Sequence, residues 1–278
     1  MDILSAVILG IIQGAAEFLP VSSSAHLALC HAFFGVISPE EYPGFDVFLH
    51  LGTLISVCFA YRSDVPRLFK GYIKLPYKLI KARFRLENLD VSERTAAFTV
   101  FAVIPVVIAA LCGVDGLADT VAAYPALTGA ALIINGFLLL LPDRANGKVT
   151  IPDVRYGHAF GAGLFQALAV IPGISRSGAT VTGAALAGVK REDAVKLSFL
   201  CSIPAVIGAC VLKLPGLLSV PFDIKTLSVY GVGALTAALC GFSAVKLIVF
   251  ISGRRRFKYF SFYCFAVGLF SLIRGFNC

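Results

Sequence analysis

The stretch EFLPVSSSAHL, residues 17–27, interrupts the otherwise apolar segment 3–33 with a carboxylate, a proline, three serines and an imidazole. Proline ends a helix because it lacks an N–H donor and its ring clashes with the preceding turn. A second apolar segment, residues 158–188, is interrupted in the same way at Pro172 by the stretch PGISRSG. Each segment therefore predicts a helix, a break and a second helix.

The composition places both breaks in a membrane protein. Of the 278 residues, 58% are hydrophobic and 14% are charged, whereas a soluble domain has about 45–50% apolar and about 25% charged residues. Long apolar runs without alternation exclude an outer-membrane barrel, and the start Met1-Asp2-Ile3-Leu4 lacks the basic region of a cleaved signal peptide. We predict an all-α polytopic membrane protein whose spans are residues 46–61, 95–114, 122–141, 194–213, 226–250 and 259–276.

The net charge of +8 is concentrated in four loops, which argues against a nucleic-acid partner. Of the 24 Lys and Arg residues, 19 lie in residues 62–94, 142–157, 188–196 and 251–258. The stretches 28–45 and 115–122 carry acidic residues instead, namely Glu40, Glu41, Asp115 and Asp119. Because basic loops stay in the cytoplasm, the first broken segment is expected at the outer face and the second at the inner face.

The two halves of the chain are expected to be related by an inverted repeat. Unwound backbone at membrane depth must be covered by protein or water, so each broken segment is interpreted as a re-entrant hairpin. Each half then has one hairpin and three crossings, and an odd number of crossings gives the halves opposite orientation. The motif Gly10-Ile-Ile-Gln13 matches Gly163-Leu-Phe-Gln166. We predict one membrane domain, residues 1–278, with repeat halves 1–141 and 158–278, an architecture that places binding sites near the bilayer midplane.

Other ionisable residues in the apolar segments are assigned to the core. The eight cysteines show no paired spacing, so neither a metal cage nor a disulfide framework is expected. His31, His50 and His158 are likewise interpreted as structural.

The candidate site combines the polar residues of both breaks. Each half-helix after a proline begins with N–H groups that lack an intrahelical partner, and such termini bind anions. Arg176 adds a planar fork suited to phosphate. Two such termini meeting at a pseudo-two-fold axis would hold a diphosphate. The candidate residues are Gln13, Glu17, Ser22, Ser23, Ser24, His26, Gly173, Ser175, Arg176, Ser177 and Thr180.

These motifs resemble those of a known family. The run Gln13-Gly-Ala-Ala-Glu17-Phe-Leu-Pro-Val-Ser-Ser-Ser-Ala-His26 is similar to the (E/Q)xxxE and PVSSxxH region of bacterial undecaprenyl-diphosphate phosphatases of the bacitracin-resistance type. The run Pro172-Gly-Ile-Ser-Arg-Ser-Gly-Ala-Thr180 is similar to that family's PGxSRSxxT motif. The resemblance covers nearly the whole chain, including FDVFLHLGTL at 45–54.

The resemblance implies a function and a location. It implies hydrolysis of undecaprenyl diphosphate to the monophosphate, which recycles the lipid carrier of peptidoglycan synthesis and confers bacitracin resistance. The enzyme would lie in the bacterial inner membrane, with its active site towards the outer face. A divalent cation, Mg²⁺ or Ca²⁺, comes with the family, and Glu17 is its candidate ligand. Gln13 stands where many members have a second carboxylate, which weakens any model that needs two carboxylates as metal ligands.

The residues leave the mechanism and two further questions open. Ser23 is the preferred nucleophile with His26 as its proton partner, while Arg176 neutralises charge; attack by water activated by Glu17 or His26 is the alternative. A secondary transporter or flippase of an anionic lipid or anion is the rival function, because inverted repeats with broken helices also occur there. A homodimer is one assembly that the sequence leaves open.

Overall fold

The structure, a computed structural model, describes residues 1–35, 44–80, 88–218 and 223–276. These residues form thirteen α-helices, a 3₁₀ turn at Ile151–Asp153 and an isolated bridge between Val149 and Val189. The helices are α1 Ile3–Phe18, α2 Ser23–Phe34, α3 Phe45–Ala60, α4 Val65–Ile80, α5 Val91–Leu111, α6 Asp115–Ala123, α7 Pro125–Leu138, α8 Leu141–Arg144, α9 Tyr156–Leu168, α10 Arg176–Leu186, α11 Arg191–Leu218, α12 Ile224–Ser252 and α13 Lys258–Gly275.

The long apolar helices coincide with the predicted spans. Four stretches are long and apolar enough to cross a membrane: Val91–Leu111, Pro125–Arg144, Arg191–Lys213 and Ile224–Ser252. A fifth is formed if α3 is counted together with α4, which is bent by 99° from it. The remaining predicted span, 259–276, is occupied by α13. The multi-pass, all-helical class is therefore confirmed.

Both predicted breaks are present. Pro20 lies between α1 and α2, and Pro172 lies between α9 and α10. The second half-helix of each pair begins at a serine cap: the Ser22 Oγ accepts from the Ala25 N–H at 3.5 Å, and the Ser175 Oγ accepts from the Gly178 N–H at 3.2 Å. Serine is favoured at this position because its hydroxyl accepts from an N–H that the helix leaves unpaired.

Two segments that the sequence indicated as loops contain helices. The basic segment 62–94 includes α4, and the acidic segment 115–122 lies within α6. These segments were located by counting charged residues. Such a count indicates which side of the membrane a segment occupies, but it gives no information on its secondary structure. Glu40 and Glu41, which belong to the other acidic stretch, lie outside the described residues.

Helix packing brings the two breaks together. α1 and α3 pack on α12, α9 packs on α5, and α7 packs on α13. The α9–α10 pair thereby reaches α1, and α7 lies against α2 and α10. The residues between the half-helices consequently meet inside the bundle. There, protein covers the backbone N–H and C=O groups that make no hydrogen bond within a helix.

Candidate active site

The two breaks are joined by a direct hydrogen bond. The Gly173 N–H donates to the Ser22 Oγ at 3.1 Å. Both residues adopt positive φ, 70° at Ser22 and 110° at Gly173. A Cβ at Gly173 would lie 2.4 Å from the Ala131 Cβ, so this position requires glycine for both its conformation and its space. The contact places the start of α2 beside the start of α10.

Asn135 of α7 ties the two breaks a second time. Its Nδ2 donates to the Pro20 carbonyl at 2.9 Å, and its Oδ1 accepts from the Ser175 N–H at 3.0 Å. The side chain is fully buried. One amide therefore satisfies an acceptor of the first break and a donor of the second. The sequence signal for it was a lone amide within the apolar span 122–141, and the sequence analysis did not use it.

A polar cavity of about 210 Å³ lies where the breaks meet. Its lining comprises Ala16, Glu17, Ser22, Ser23, Ser24, His50, Ala169, Ile174, Ser175 and Arg176. Six of the eleven candidate residues are in this set. The first residues of both α2 and α10 contribute to the lining, so the positive ends of two helix dipoles adjoin one cavity. This is the paired arrangement of N-termini that the sequence predicted.

Glu17 is the centre of the polar network. Its Oε2 accepts from the Ser23 Oγ at 2.8 Å and from the Gln13 Nε2 at 3.0 Å, while its Oε1 accepts from the Arg176 Nη2. The Glu17 side chain is 6% exposed and that of Arg176 is 30% exposed. One buried carboxylate thus receives donors from α1, α2 and α10, and the ion pair links the two hairpins.

His50 belongs to the site, although the sequence analysis assigned it to the core. The Gln13 Nε2 donates to the His50 Nδ1 at 3.2 Å, and His50 lines the cavity. Because its Nδ1 accepts this bond, its Nε2 carries the ring proton in the neutral form. An ionisable residue in the middle of an apolar span was the available signal.

His26 was expected to pair with Ser23, but its ring bonds to Ser22 and Tyr263 instead. Its Nδ1–H donates to the Ser22 carbonyl at 2.8 Å, and its Nε2 accepts from the Tyr263 hydroxyl at 2.7 Å. Since a carbonyl can only accept, these bonds fix the ring tautomer. The helical spacing of three residues suggested a meeting of Ser23 and His26, but the Ser23 hydroxyl turns to Glu17 instead. Tyr263, on α13, was not identified from the sequence.

The remaining residues of the second motif support the start of α10. The Ser177 Oγ lies 3.1 Å from the Ser175 Oγ and donates to the Phe18 carbonyl at 3.3 Å. The Thr180 Oγ1 lies one turn further on, 2.7 Å from the Arg176 carbonyl and 2.9 Å from the Gln166 Oε1. Thr180 and Gln166 are both buried. These hydroxyls bond to backbone and side-chain groups around the first turn of α10 and do not line the cavity between the breaks.

The donor set is that of an anion site beside one carboxylate. Among the described residues, no group of three His, Cys, Asp or Glu side chains converges as a metal cage. Serine hydroxyls, helix N-termini and a guanidinium surround the cavity, and all of these favour phosphate oxygens. The Ser23 hydroxyl donates to a buried carboxylate, so it is a candidate oxygen nucleophile with a candidate base beside it.

Comparisons with known proteins agree with this chemistry. The family model described as "Bacitracin resistance protein BacA" matches residues 6–270. A protein of Alkaliphilus metalliredigens named undecaprenyl-diphosphatase is 37% identical over 280 residues, which cover 98% of this chain and 100% of the relative. Relatives of the same name are 38% identical in Desulforudis audaxviator, covering 99% and 100%, and 35% identical in Methanobrevibacter smithii, covering 97% and 96%. With its two breaks, their motifs and a match of this extent, the chain belongs to the bacitracin resistance protein BacA family.

Proposed function

We propose that this chain is an integral membrane phosphatase that hydrolyses undecaprenyl diphosphate to undecaprenyl phosphate and inorganic phosphate. The observation that carries the proposal is the contact of Ser23, Glu17 and Arg176 at the meeting point of two helix N-termini. The similar proteins are named for this activity. In a bacterial inner membrane the reaction would return the lipid carrier to peptidoglycan synthesis. It would also withdraw the diphosphate that bacitracin captures.

The diphosphate binds where positive potential is concentrated. The N-termini of α2 and α10 offer backbone N–H groups, and the hydroxyls of Ser22, Ser24 and Ser175 line the same cavity. Arg176 is placed to stabilise the charge that develops on the transferred phosphoryl group, which is the main catalytic contribution in this chemistry. Glu17 holds the guanidinium in position until substrate arrives.

Ser23 is the proposed nucleophile, and Glu17 is its base. The Ser23 Oγ bonds to the terminal phosphorus as its proton passes to the Glu17 Oε2, and the phosphorus–bridging oxygen bond breaks to release undecaprenyl phosphate. A water then bonds to the same phosphorus, the phosphoserine bond breaks, and Glu17 returns its proton to Ser23. Dihydrogen phosphate leaves with both protons of the water. The 2.8 Å contact between the Ser23 Oγ and the Glu17 Oε2 supports this assignment over His26.

A divalent cation fits the site as a partner of the substrate. Mg²⁺ and Ca²⁺ prefer oxygen ligands, and Mg²⁺ is commonly held by one or two carboxylates together with substrate phosphates. The Glu17 carboxylate and the Gln13 amide oxygen are the protein groups that would hold it. When bound, the ion would neutralise phosphate charge.

The re-entrant hairpins and the inverted repeat belong to the same proposal. Gly10 of α1 lies against α12, where an added Cβ would be 2.6 Å from the Gly233 carbonyl oxygen. Its repeat partner Gly163 of α9 lies against α5, with the same 2.6 Å distance to the Ala102 carbonyl oxygen. Small residues allow such close helix packing in membranes. Equivalent residues of the two halves thus make equivalent contacts with the opposite half, as an inverted repeat requires.

Phosphate release in detergent tests the activity, because no transport across a membrane is possible there. Purified protein with polyprenyl diphosphate and Mg²⁺ is expected to release inorganic phosphate. Ser23→Ala should lower the rate by more than ~10²-fold, whereas Ser24→Ala, a serine lining the same cavity, should have a much smaller effect. Trapping phosphoserine at Ser23 would support covalent catalysis.

Two outcomes would contradict the proposal at different steps. Full activity of Ser23→Ala would assign the attack to water and leave Ser23 as a phosphate ligand. A wild-type rate in Arg176→Ala would mean that this cavity is not the active site. A cysteine at Ser24, labelled from one side in a cysteine-free background, reports which face of the membrane the site opens to.

A further inference from the structure

The helix α4 turns sharply away from α3. Its axis is bent by 99° from that of α3, after a turn of four residues. Helices that cross a bilayer are tilted on average by about 20° from its normal, so a right-angled neighbour lies close to the membrane plane. α4 also carries Arg67, Lys70, Lys74 and Lys78, and four cations are too costly for the hydrocarbon core.

One side of α4 is covered by protein. Leu68 and Leu75 are buried. The Tyr72 hydroxyl lies 2.7 Å from the Thr99 Oγ1 of α5. A Cβ at Gly71 would be 2.4 Å from the Ser92 carbonyl oxygen, so the two helices are in close contact. α5 therefore fixes which side of α4 faces outward.

The outward side is apolar. Phe69, Ile73 and Tyr77 are 43%, 77% and 60% exposed. Residues four apart stand on one helix face, so these side chains form a continuous stripe, which we call the α4 stripe. An exposed apolar face of this kind is typical of a helix that sits in the membrane interface.

A row of cations borders the α4 stripe. Lys70, Lys74 and Lys78 each lie roughly a quarter of a turn round the helix from the stripe. Arg67 lies further round, at the mouth of a cavity that Asp64 and Asp90 also line. Lys74 and Lys78 pair with Asp90 and Glu93 at 2.8 Å and 2.6 Å. Within the described part of the chain, Arg67 and Lys70 form no ion pair, and both are exposed. The charge available at the edge of the stripe is therefore positive.

We propose that α4 is an interfacial helix that recognises anionic phospholipids. The α4 stripe lies among the upper acyl carbons, and Arg67 and Lys70 bind headgroup phosphates. Apolar burial gives the attachment, and the two cations give the preference for anionic lipids, because each basic residue near an anionic surface adds to binding. The occupant of this surface is thus the lipid of the leaflet on the side where the basic segments lie.

The absence of tryptophan from the chain allows a direct test. Ile73→Trp gives a protein with one tryptophan, which brominated lipid quenches on contact. In vesicles containing brominated phosphatidylglycerol, strong quenching is expected, and Tyr77→Trp provides a second probe of the same stripe. Lys148→Trp, at an exposed position between α8 and α9, is the matched control and should stay unquenched. Equal, weak quenching at all three positions would overturn the proposal.

The lipid preference is tested with the charge removed. Half-maximal quenching of Ile73→Trp should need a lower mole fraction of brominated phosphatidylglycerol than of brominated phosphatidylcholine. Adding Arg67→Gln and Lys70→Gln should reduce that preference roughly fivefold for each charge removed. Lys148→Gln with Lys225→Gln, two exposed lysines elsewhere, makes the same change in net charge and should leave the preference intact. Equal loss in both double variants would contradict recognition by α4.

Discussion

At the scale of single residues, the Glu17 carboxylate connects the polar side chains of the site. Its two oxygens accept from Gln13, Ser23 and Arg176, which come from three different helices. Removing one partner of a buried ion pair leaves the other charge uncompensated. The carboxylate therefore positions the guanidinium as well as being the proposed base.

Glu17→Gln is expected to remove activity while preserving shape. The amide has nearly the same volume but cannot take the Ser23 proton, so kcat for phosphate release should fall by ~10²-fold or more. Asp46→Asn is the control, since Asp46 pairs with Lys213 of α11 and neither residue lines the cavity. An exposed pair of this kind contributes about 0–1 kcal/mol, so that variant should remain active. Comparable rates in both variants would contradict the role of Glu17 as base.

Arg176→Lys is expected to behave almost like Arg176→Ala. A lysine keeps the charge but lacks the planar fork that binds two oxygens at once. Loss of an arginine that stabilises a transferred phosphoryl group costs ~10³-fold or more in kcat. Steady-state phosphate release for both variants measures the effect. A lysine variant close to wild type would mean that charge alone suffices.

At the scale of elements, the second break depends on the backbone of Gly173. Its φ of 110° and the proximity of Ala131 of α7 leave no room for a side chain. The N–H of the same residue reaches Ser22 of the first break. A distortion at Gly173 is therefore transmitted to both half-helices that line the cavity.

Gly173→Ala should destabilise the protein and lower its activity. A non-glycine residue in such a conformation costs about 1–3 kcal/mol, in addition to the steric contact. Gly157→Ala in α9, where an added Cβ meets nothing within 4 Å, is the matched control. Thermal unfolding in detergent should show a lower Tm for Gly173→Ala and an equal or higher Tm for Gly157→Ala. The reverse order would contradict the strain argument.

The sequence predicted the breaks because proline and serine act locally. Pro20 and Pro172 end their helices through their own covalent structure, and Ser22 and Ser175 cap the next ones. The α4 helix was not predicted, because the sequence analysis considered only the charge of its segment. The hydrogen bond of Ser23 to Glu17 was also not predicted, since helical spacing describes neighbours within α2 and not the approach of α1.

At the scale of the whole molecule, α7 joins the two halves of the chain. Asn135 lies between Pro20 and Ser175, which are 155 positions apart in sequence, and satisfies a backbone group of each. The relative position of the two helix N-termini therefore depends on a residue that lies in neither motif. Sequence motifs located the two sets of site residues, but only the packed bundle shows what holds them together.

Asn135→Leu is expected to lose activity beyond its loss of stability. The Ser175 N–H would stay buried without a partner, at about 1–3 kcal/mol, and the Pro20 carbonyl would keep only the weak contact with the Cys264 thiol at 3.9 Å. A misplaced site can in addition cost ~10²-fold in rate. Ser271→Ala is the control, because it removes the buried hydroxyl that donates to the Pro125 carbonyl at the far end of α7. Both variants should unfold at lower temperature. When phosphate release is assayed below both unfolding temperatures, only Asn135→Leu should be slower than the wild type.

The ion pair between Glu17 and Arg176 also separates two cavities. Both residues line the cavity between the breaks and a second, much smaller one bounded by Gln166, Ser198 and Ser202. The pair is thus the wall that the two cavities share. Each side chain is held in this wall by the other, so the wall stays closed while the pair is intact. A phosphate group that draws the guanidinium away from the carboxylate would therefore join the two spaces, and substrate binding itself would enlarge the site.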